Sequence, residues 1–303
     1  MNSPLQAVVA AACGAVMLLA GALTGQQNPA QQEGPPPVTI QPITLGVMLV
    51  KGGSGANAGL IVGKREIIAI DAKMSAESVQ DMLAQIKKNV PYPVTRIILT
   101  HSDGDHINGL PGFPKGLAII SQEQVKADMI QASADLPALK DYLPTEVFKD
   151  ELKFKSGNMT FLLRHYGPAH TNGDTVVYID SDRIAYVGDL VFVGRDPIIH
   201  RAKNGSSFGL VKTLKALLDH RPHVDSFLPG HGDMVTRTEI AALIRSIEVK
   251  QARVRTFIAE GKSLDDIKKI LQVPVRPSAS GGPQFPSLVE VIYQELTEKK
   301  AAK

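Results

Sequence analysis

Short apolar runs bounded by glycine, proline or aspartate recur along this chain, and between them apolar residues fall at helical spacing. Residues 40–50 predict a first strand or hairpin arm. Residues 58–62 and 66–70 predict two more around Gly63-Lys64, with 96–99 and 117–120 following. In the second half, 159–163, 175–179 and 183–187 read the same way. Ser75 is placed to cap a helix whose Val79, Met82, Leu83 and Ile86 share one face. The 122–142 region is helical but interrupted by Pro137. Thr236 with Glu239 predicts a capping box, and Ile240, Leu243, Ile244, Ile247, Val254 and Ile258 then form a core-facing stripe. Residues 263–271 and 287–298 predict two amphipathic helices joined by a Pro/Gly/Ser linker at 274–286, with solvated Lys and Arg on their outer faces. Strands alternating with helices in both halves predict an α/β fold, and no short-period repeat is present.

Composition narrows the function. At 303 residues, 44% hydrophobic and 21% charged, the chain has the make-up of a globular protein with a sizeable core. A net charge of +3, with no basic run interleaved with aromatics, points away from nucleic acid and towards a small-molecule partner. Residues 1–32 carry no charged side chain, and 5–23 are almost wholly apolar. This predicts a signal peptide or membrane anchor over 1–24, with Ala20-Gly21-Ala22 as a small-x-small cleavage site, followed by a Pro/Gln-rich linker over 25–38. The expected location is exported, periplasmic or extracellular, with any membrane contact made through that segment alone. Cys13 is the only cysteine and lies inside the leader, so the remaining chain would hold no disulfide and no thiolate ligand.

The candidate chemistry is concentrated in Thr100-His101-Ser102-Asp103-Gly104-Asp105-His106. His101, Asp103, Asp105 and His106 follow a strand directly, and imidazole with carboxylate suits a hard to borderline divalent cation such as zinc, iron or manganese. His170 (Ala-His-Thr-Asn-Gly-Asp), Asp189 (Gly-Asp-Leu) and His231 (Pro-Gly-His-Gly) also stand where strands give way to loops. Together these seven suffice for two cations sharing one carboxylate. Asp71, at another strand end, reads equally as a turn or cap residue and as a support for a ligand. Gly52-Gly53-Ser54-Gly55 is not a phosphate loop, because the GK[ST] ending and the following helix are missing. The 193–207 loop, with Arg195, His200, Lys203 and Asn204, reads as either pocket lining or a solvated loop. His165, His220 and His223 fit no ligand spacing and read as structural or surface residues.

His-x-Asp-x-Asp-His, His170 in its HTxGD setting, Asp189 in a GD turn and His231 in PGHG together resemble the metallo-β-lactamase superfamily of hydrolases, from about residue 40 to about 257. The resemblance implies a four-layer αββα sandwich over 39–260, two mixed β-sheets with helices on the outer faces, and a C-terminal helical extension over 261–303. It implies that His101, Asp103 and His170 hold one divalent ion, that Asp105, His106 and His231 hold a second, and that Asp189 bridges them. Zinc is the expected metal, with iron or manganese as alternatives because the family motif is HxHxDH and Asp103 replaces its second histidine. A carboxylate there should harden the first position and lower its Lewis acidity. The flavodiiron branch of the family, which has Glu there, uses iron. The missing Cys ligand argues against the β-lactamase classes that use one. The implied activity is hydrolysis of an ester, lactone, thioester or amide by a hydroxide held between the metals, with Asp105 as the catalytic residue that orients the nucleophile and takes its proton. Asp71 and Asp174 would steady the ligand histidines. The alternatives are an iron-dependent redox enzyme of the sulfur-dioxygenase kind and a binding protein with an inert metal site.

Overall fold

Strand alternation sends neighbouring residues to opposite faces, and here the central strands of each sheet are apolar on both. The computed structural model describes residues 34–157, 159–274 and 285–298. The first sheet runs β1 (Thr39–Pro42), β2 (Val47–Lys51), β3 (Ala58–Val62), β4 (Ile67–Ile70), β5 (Val94–Ile98), β6 (Ala118–Gln122) and β7 (Glu146–Phe148), in that spatial order. β1 to β4 form an antiparallel meander. From β4 to β7 the pairing is parallel, as crossovers through α1 (Ala76–Lys87), the short α2 (Gly104–Ile107) and α3 (Glu123–Ala132) require. The strand–helix alternation read from the sequence therefore holds only from β4 onward in this half.

The second sheet has the order β13 (Val235–Thr236), β12 (Ser226–Pro229), β11 (Ile184–Gly188), β10 (Val176–Ile179), β9 (Met159–Arg164) and β8 (Glu151–Ser156). Only β11 and β12 are parallel, joined through α4 (Ser207–Asp219). Among the described residues three helices follow: α5 (Arg237–Ala259), α6 (Leu264–Ile270) and α7 (Leu288–Thr297). α3 stops at Ala132, and Pro137 opens a separate 3-10 turn to Tyr142. Thr236 and Glu239 form the expected capping box at the start of α5.

Ile68, Ile70 and Ile98 of the first sheet meet Phe161, Leu163, Val177 and Ile179 of the second in one buried cluster. The alternate residues Ile67, Ala69 and Ile97 pack with Val79 and Met82 of α1. On the far side, Val176, Tyr178 and Ala185 pack with Leu210 and Leu214 of α4, Ile240 and Ile247 of α5, and Leu288 and Val291 of α7. The result is the αββα four-layer sandwich. At roughly 1.5–3 kcal/mol for each large apolar side chain fully buried, these three clusters supply the driving force for folding. The stiff double sheet leaves its strand ends free to carry chemistry. The expected export segment, with Cys13, lies outside the described residues, as does most of the 274–286 linker. Among the described residues, no helix is long and apolar enough to cross a membrane.

Candidate metal centre

β4, β5, β11 and β12 all end at the same edge of the sandwich, and each end delivers a polar side chain. β4 gives way to Asp71, and β5 leads through Leu99 and Thr100 to His101. The first turn of α2 presents Asp105 and His106. Asp189 directly follows β11, and Gly230-His231 follow β12. His170 comes from the loop before β10, whose Thr175 N–H donates to the Thr100 carbonyl at 2.7 Å and so ties that loop to the β5 end.

All seven side chains singled out from the sequence converge. His101, His170 and Asp189 form one group whose donor atoms lie mutually within 4.8 Å, and Asp105, His106 and His231 form another. Asp103 joins the first through Oδ2, at 3.0 Å from His170 Nε2 and 3.9 Å from His101 Nε2. In the second, Asp105 Oδ2 is 3.0 Å from His231 Nε2 and 3.9 Å from His106 Nε2. Asp189 spans both: Oδ1 is 3.3 Å from His106 Nε2, while Oδ2 is 3.4 Å from His231 Nε2 and 3.9 Å from His170 Nε2.

These spacings suit cations. Two ligand atoms each about 2.1 Å from a tetrahedral ion stand about 3.4 Å apart. Hydrogen bonding on the far side of the His106 and His170 rings turns the Nε2 of each towards the other ligands. His106 Nδ1 is 2.7 Å from Asp71 Oδ2, and His170 Nδ1 is 2.9 Å from the Ile198 carbonyl; both partners only accept, so each Nδ1 carries the proton. His101 Nε2, His106 Nε2 and Asp189 Oδ1 are buried and have no hydrogen-bond partner among the described residues. Polar atoms buried without partners are costly unless a cation satisfies them. Gly230 keeps the space open: a Cβ there would stand 2.2 Å from Asp189 Oδ1 and 2.6 Å from His106 Cε1. The donor set therefore fits a pair of divalent ions.

Without metal, protons take the place of cations. Burial works against charge on His170, yet the hydrogen bond to Asp103 and the charge of Asp189 push it up to about 9. The hydrogen bonds that His231 donates to Asp105 and Asp189 raise it to about 9 as well. Burial opposes ionisation of Asp189, but His106 and its neighbouring imidazoles hold it well below the usual carboxylate range. His101 is pushed far down by burial and by His106.

Several residues at the centre were not resolved by the sequence. Asp71 is buried in a left-handed conformation (φ 60°) and holds His106, so its role is support rather than capping. Asp174 differs from expectation. It accepts from the Thr171 N–H and hydroxyl and so closes the loop after His170, touching no ligand histidine through its carboxylate. Of the 193–207 loop, His200 and Lys203 both reach Asp103, whereas Arg195 lies over the Phe192 ring at 4.5 Å. Phe192 is stacked on His231 at 5.9 Å, and Phe285, just ahead of α7, meets the edge of His200 at 4.9 Å. Lys73 is fully buried and donates to the Ala56 carbonyl; burial brings its amine down to about 8, with Asp105 opposing. No spacing rule marks these residues. His165 sits on the Asp174 carbonyl, and His220 stacks on Tyr178, both away from the centre.

The sequence model of the Metallo-beta-lactamase superfamily matches residues 52–231. The subunit alpha of a 2,4-dinitroanisole O-demethylase from Nocardioides sp. (strain JS1661) is 25% identical over 77% of this chain and 70% of its own length. A metallo-beta-lactamase type 2 from Bacillus cereus is 20% identical over 59% of this chain and 68% of its own. Among solved structures, a metallo-beta-lactamase from Pontibacter korlensis superposes with a TM-score of 0.58 at 17% identity, covering 69% of this chain and 99% of that one.

Proposed function

The chain belongs to the metallo-beta-lactamase superfamily, and from that premise we propose that it is a hydrolase that uses two divalent ions, zinc by preference, to open an ester, lactone, thioester or amide bond in a small molecule. The observation that carries the reading is the meeting of His101 Nε2, His106 Nε2 and Asp189 Oδ1, buried and without hydrogen-bond partners among the described residues, at a single strand-end pocket. Divalent ions bound there would lower the pKa of water towards about 7 and polarise the substrate oxygen.

The chain's own residues divide the remaining work. His101, Asp103 and His170 would hold one ion, Asp105, His106 and His231 the other, and Asp189, whose carboxylate lies near ligands of both groups, would tie them together. Asp105 and His231 have side chains 28% and 34% exposed, against 11% or less for the other five, so substrate would enter over them. Asp105 would orient the attacking water and accept its proton. Phe192 backs His231, and the exposed Arg195 laid over it gives the rim a positive charge suited to a substrate carrying a carboxylate.

The test is chelator treatment followed by metal return, read on a panel of lactones, thioesters, esters and β-lactams. Because one relative is named for O-demethylation of 2,4-dinitroanisole, an activated aryl methyl ether belongs on that panel. Turnover that vanishes on chelation and returns with zinc is the expected result. Turnover of none of these substrates by fully metallated protein would count against hydrolysis. One observation favours a second reading, an iron-dependent redox enzyme: a carboxylate, Asp103, faces the first group. Iron retained from native-like medium together with oxygen uptake on a persulfide would select it.

A further inference from the structure

Asp103 brings a negative charge to a position where the family motif has a neutral imidazole, and the fold gives that charge a lysine partner on the side away from the other ligands. Oδ2 faces His170 Nε2 at 3.0 Å and His101 Nε2 at 3.9 Å. Oδ1 is turned away from them and lies 2.8 Å from Lys203 Nζ and 2.9 Å from His200 Nδ1. Since a carboxylate oxygen only accepts, both nitrogens donate to it.

The Lys203 ammonium is not a casual surface partner. Its three donors meet three acceptors: Asp103 Oδ1, the Ser102 carbonyl at 2.8 Å and Ser102 Oγ at 3.0 Å. Ser102 Oγ in turn donates to Asp128 Oδ2 of α3 at 2.5 Å. Backbone bonds fix the loop carrying Lys203 to the loop carrying His170, from His200 N to the His170 carbonyl at 2.8 Å and from Asn172 N to the Lys203 carbonyl at 2.9 Å. Lysine and ligand loop are therefore held as one piece, next to a carboxylate whose side chain is only 11% exposed.

We infer that Lys203, aided by His200, is the positioning residue that adapts Asp103 to the first metal position: it neutralises the carboxylate and keeps Oδ1 occupied, so that Asp103 meets a cation through Oδ2 alone. The charge balance supports this. An Asp⁻–Lys⁺ pair has the same net charge as the histidine it replaces, so the first position keeps the Lewis acidity of a site with neutral ligands. The softening of that acidity expected from Asp103 alone would thus be offset. This inference rests on the two-metal reading above.

A charge-swap cycle on the full chain tests it, with metal content after zinc dialysis and zinc-against-manganese competition as readouts alongside activity. Wild type should retain two zinc ions. Lys203→Met should move the first position towards manganese by about tenfold or more, because a bare carboxylate is a harder and more anionic ligand. Asp103→His should fall to about one zinc, since an imidazole would then face an unpaired, half-buried ammonium. The double variant Asp103→His/Lys203→Met should recover the second ion. Lys203→Gln, which keeps a donor without the charge, covers the case of a Met variant that fails to fold; it should show the same manganese shift. Two zinc ions in Asp103→His, with an unchanged zinc-to-manganese preference in Lys203→Gln, would overturn the assignment of Lys203. Wild-type protein that binds no zinc would instead bring down the two-metal reading itself.

Discussion

Asp71 accepts a hydrogen bond from His106 Nδ1 at 2.7 Å, and through Thr100 it also governs His101. The Thr100 hydroxyl donates to Asp71 Oδ2 at 2.7 Å, so its lone pair is left to accept from His101 Nδ1 at 3.0 Å. One carboxylate thus sets the tautomer of a histidine in each metal group and turns both Nε2 atoms inward. Its left-handed backbone at the end of β4 aims it there, and the Thr100 N–H at 2.8 Å anchors it.

Replacing Asp71 with Asn keeps the shape but removes the charge that fixes both rings. Zinc affinity, measured by competition with a chromogenic chelator, should fall about 10- to 100-fold. Asp71→Ala should in addition destabilise the fold by roughly 1–3 kcal/mol, because the buried Thr100 N–H loses its acceptor. Unchanged zinc affinity in Asp71→Asn would remove Asp71 from the centre.

Gly230 has a positional role that folding alone does not explain. A methyl group there would occupy the space between Asp189 and His106, at 2.2 Å and 2.6 Å from their atoms. Gly230→Ala should therefore lose zinc and activity together, while costing about 1–3 kcal/mol of overpacking at most in the metal-free protein. Urea unfolding of the metal-free variant, compared with its zinc content, separates the two effects. Full zinc loading in this variant would show that Asp189 and His106 do not share an ion.

Legibility in the sequence followed the strength of local signals. Ligands on strand ends with flanking glycine stood out, because chemistry and backbone pattern coincide at 101–106, 170, 189 and 231. The central strands were clear, since β4 and β11 are buried on both faces and read as unbroken apolar runs, and β5 ends in the buried Ile97-Ile98. β7 and β8 went unread. β8 has the alternation of a one-sided strand, with Glu151, Lys153 and Lys155 outward and Leu152 and Phe154 half-buried, but its charged positions mask the pattern. His200 and Lys203 could not be assigned because loops have no periodicity: only the fold brings a residue 100 positions away to Asp103. The available clue was electrostatic, a surplus acid in the motif that a nearby cation would have to balance. Phe285 is further still, carried to His200 by the docking of α7 on α5 and by the Arg201–Glu298 pair.

Asp105 is placed to act at the open side of the pocket, while its Oδ2 faces His231 and His106. Asp105→Asn removes both the anionic ligand and the proton acceptor. It should remain folded, with kcat down about 100- to 10,000-fold, the range for losing a general base. Substantial residual turnover with two metals bound would take the proton-accepting role away from Asp105.

The proton balance of the centre gives a prediction of definite sign. In the metal-free fold His170 and His231 titrate at about 9, against 6.5 for an unperturbed imidazole. Because folding raises them, protonation of these rings stabilises the metal-free protein fully below pH 6.5, and that contribution is lost as pH rises through about 9. Metal has the opposite demand, since each Nε2 must be free of its proton to coordinate. Stabilisation by zinc, read as the difference in melting temperature with and without metal, should therefore grow steadily between pH 6.5 and 9. Although burial opposes it, the charges of Asp71 and Asp189 hold His106 well above 6.5 as well. Zinc titration calorimetry at pH 7.5, run in two buffers of different ionisation enthalpy, should therefore report release of two or more protons, a number that falls as pH rises through about 9. Zinc uptake without proton release at pH 7.5 would mean that these imidazoles are neutral in the metal-free fold, and that the acids around them do not hold the protons in place of the missing ions.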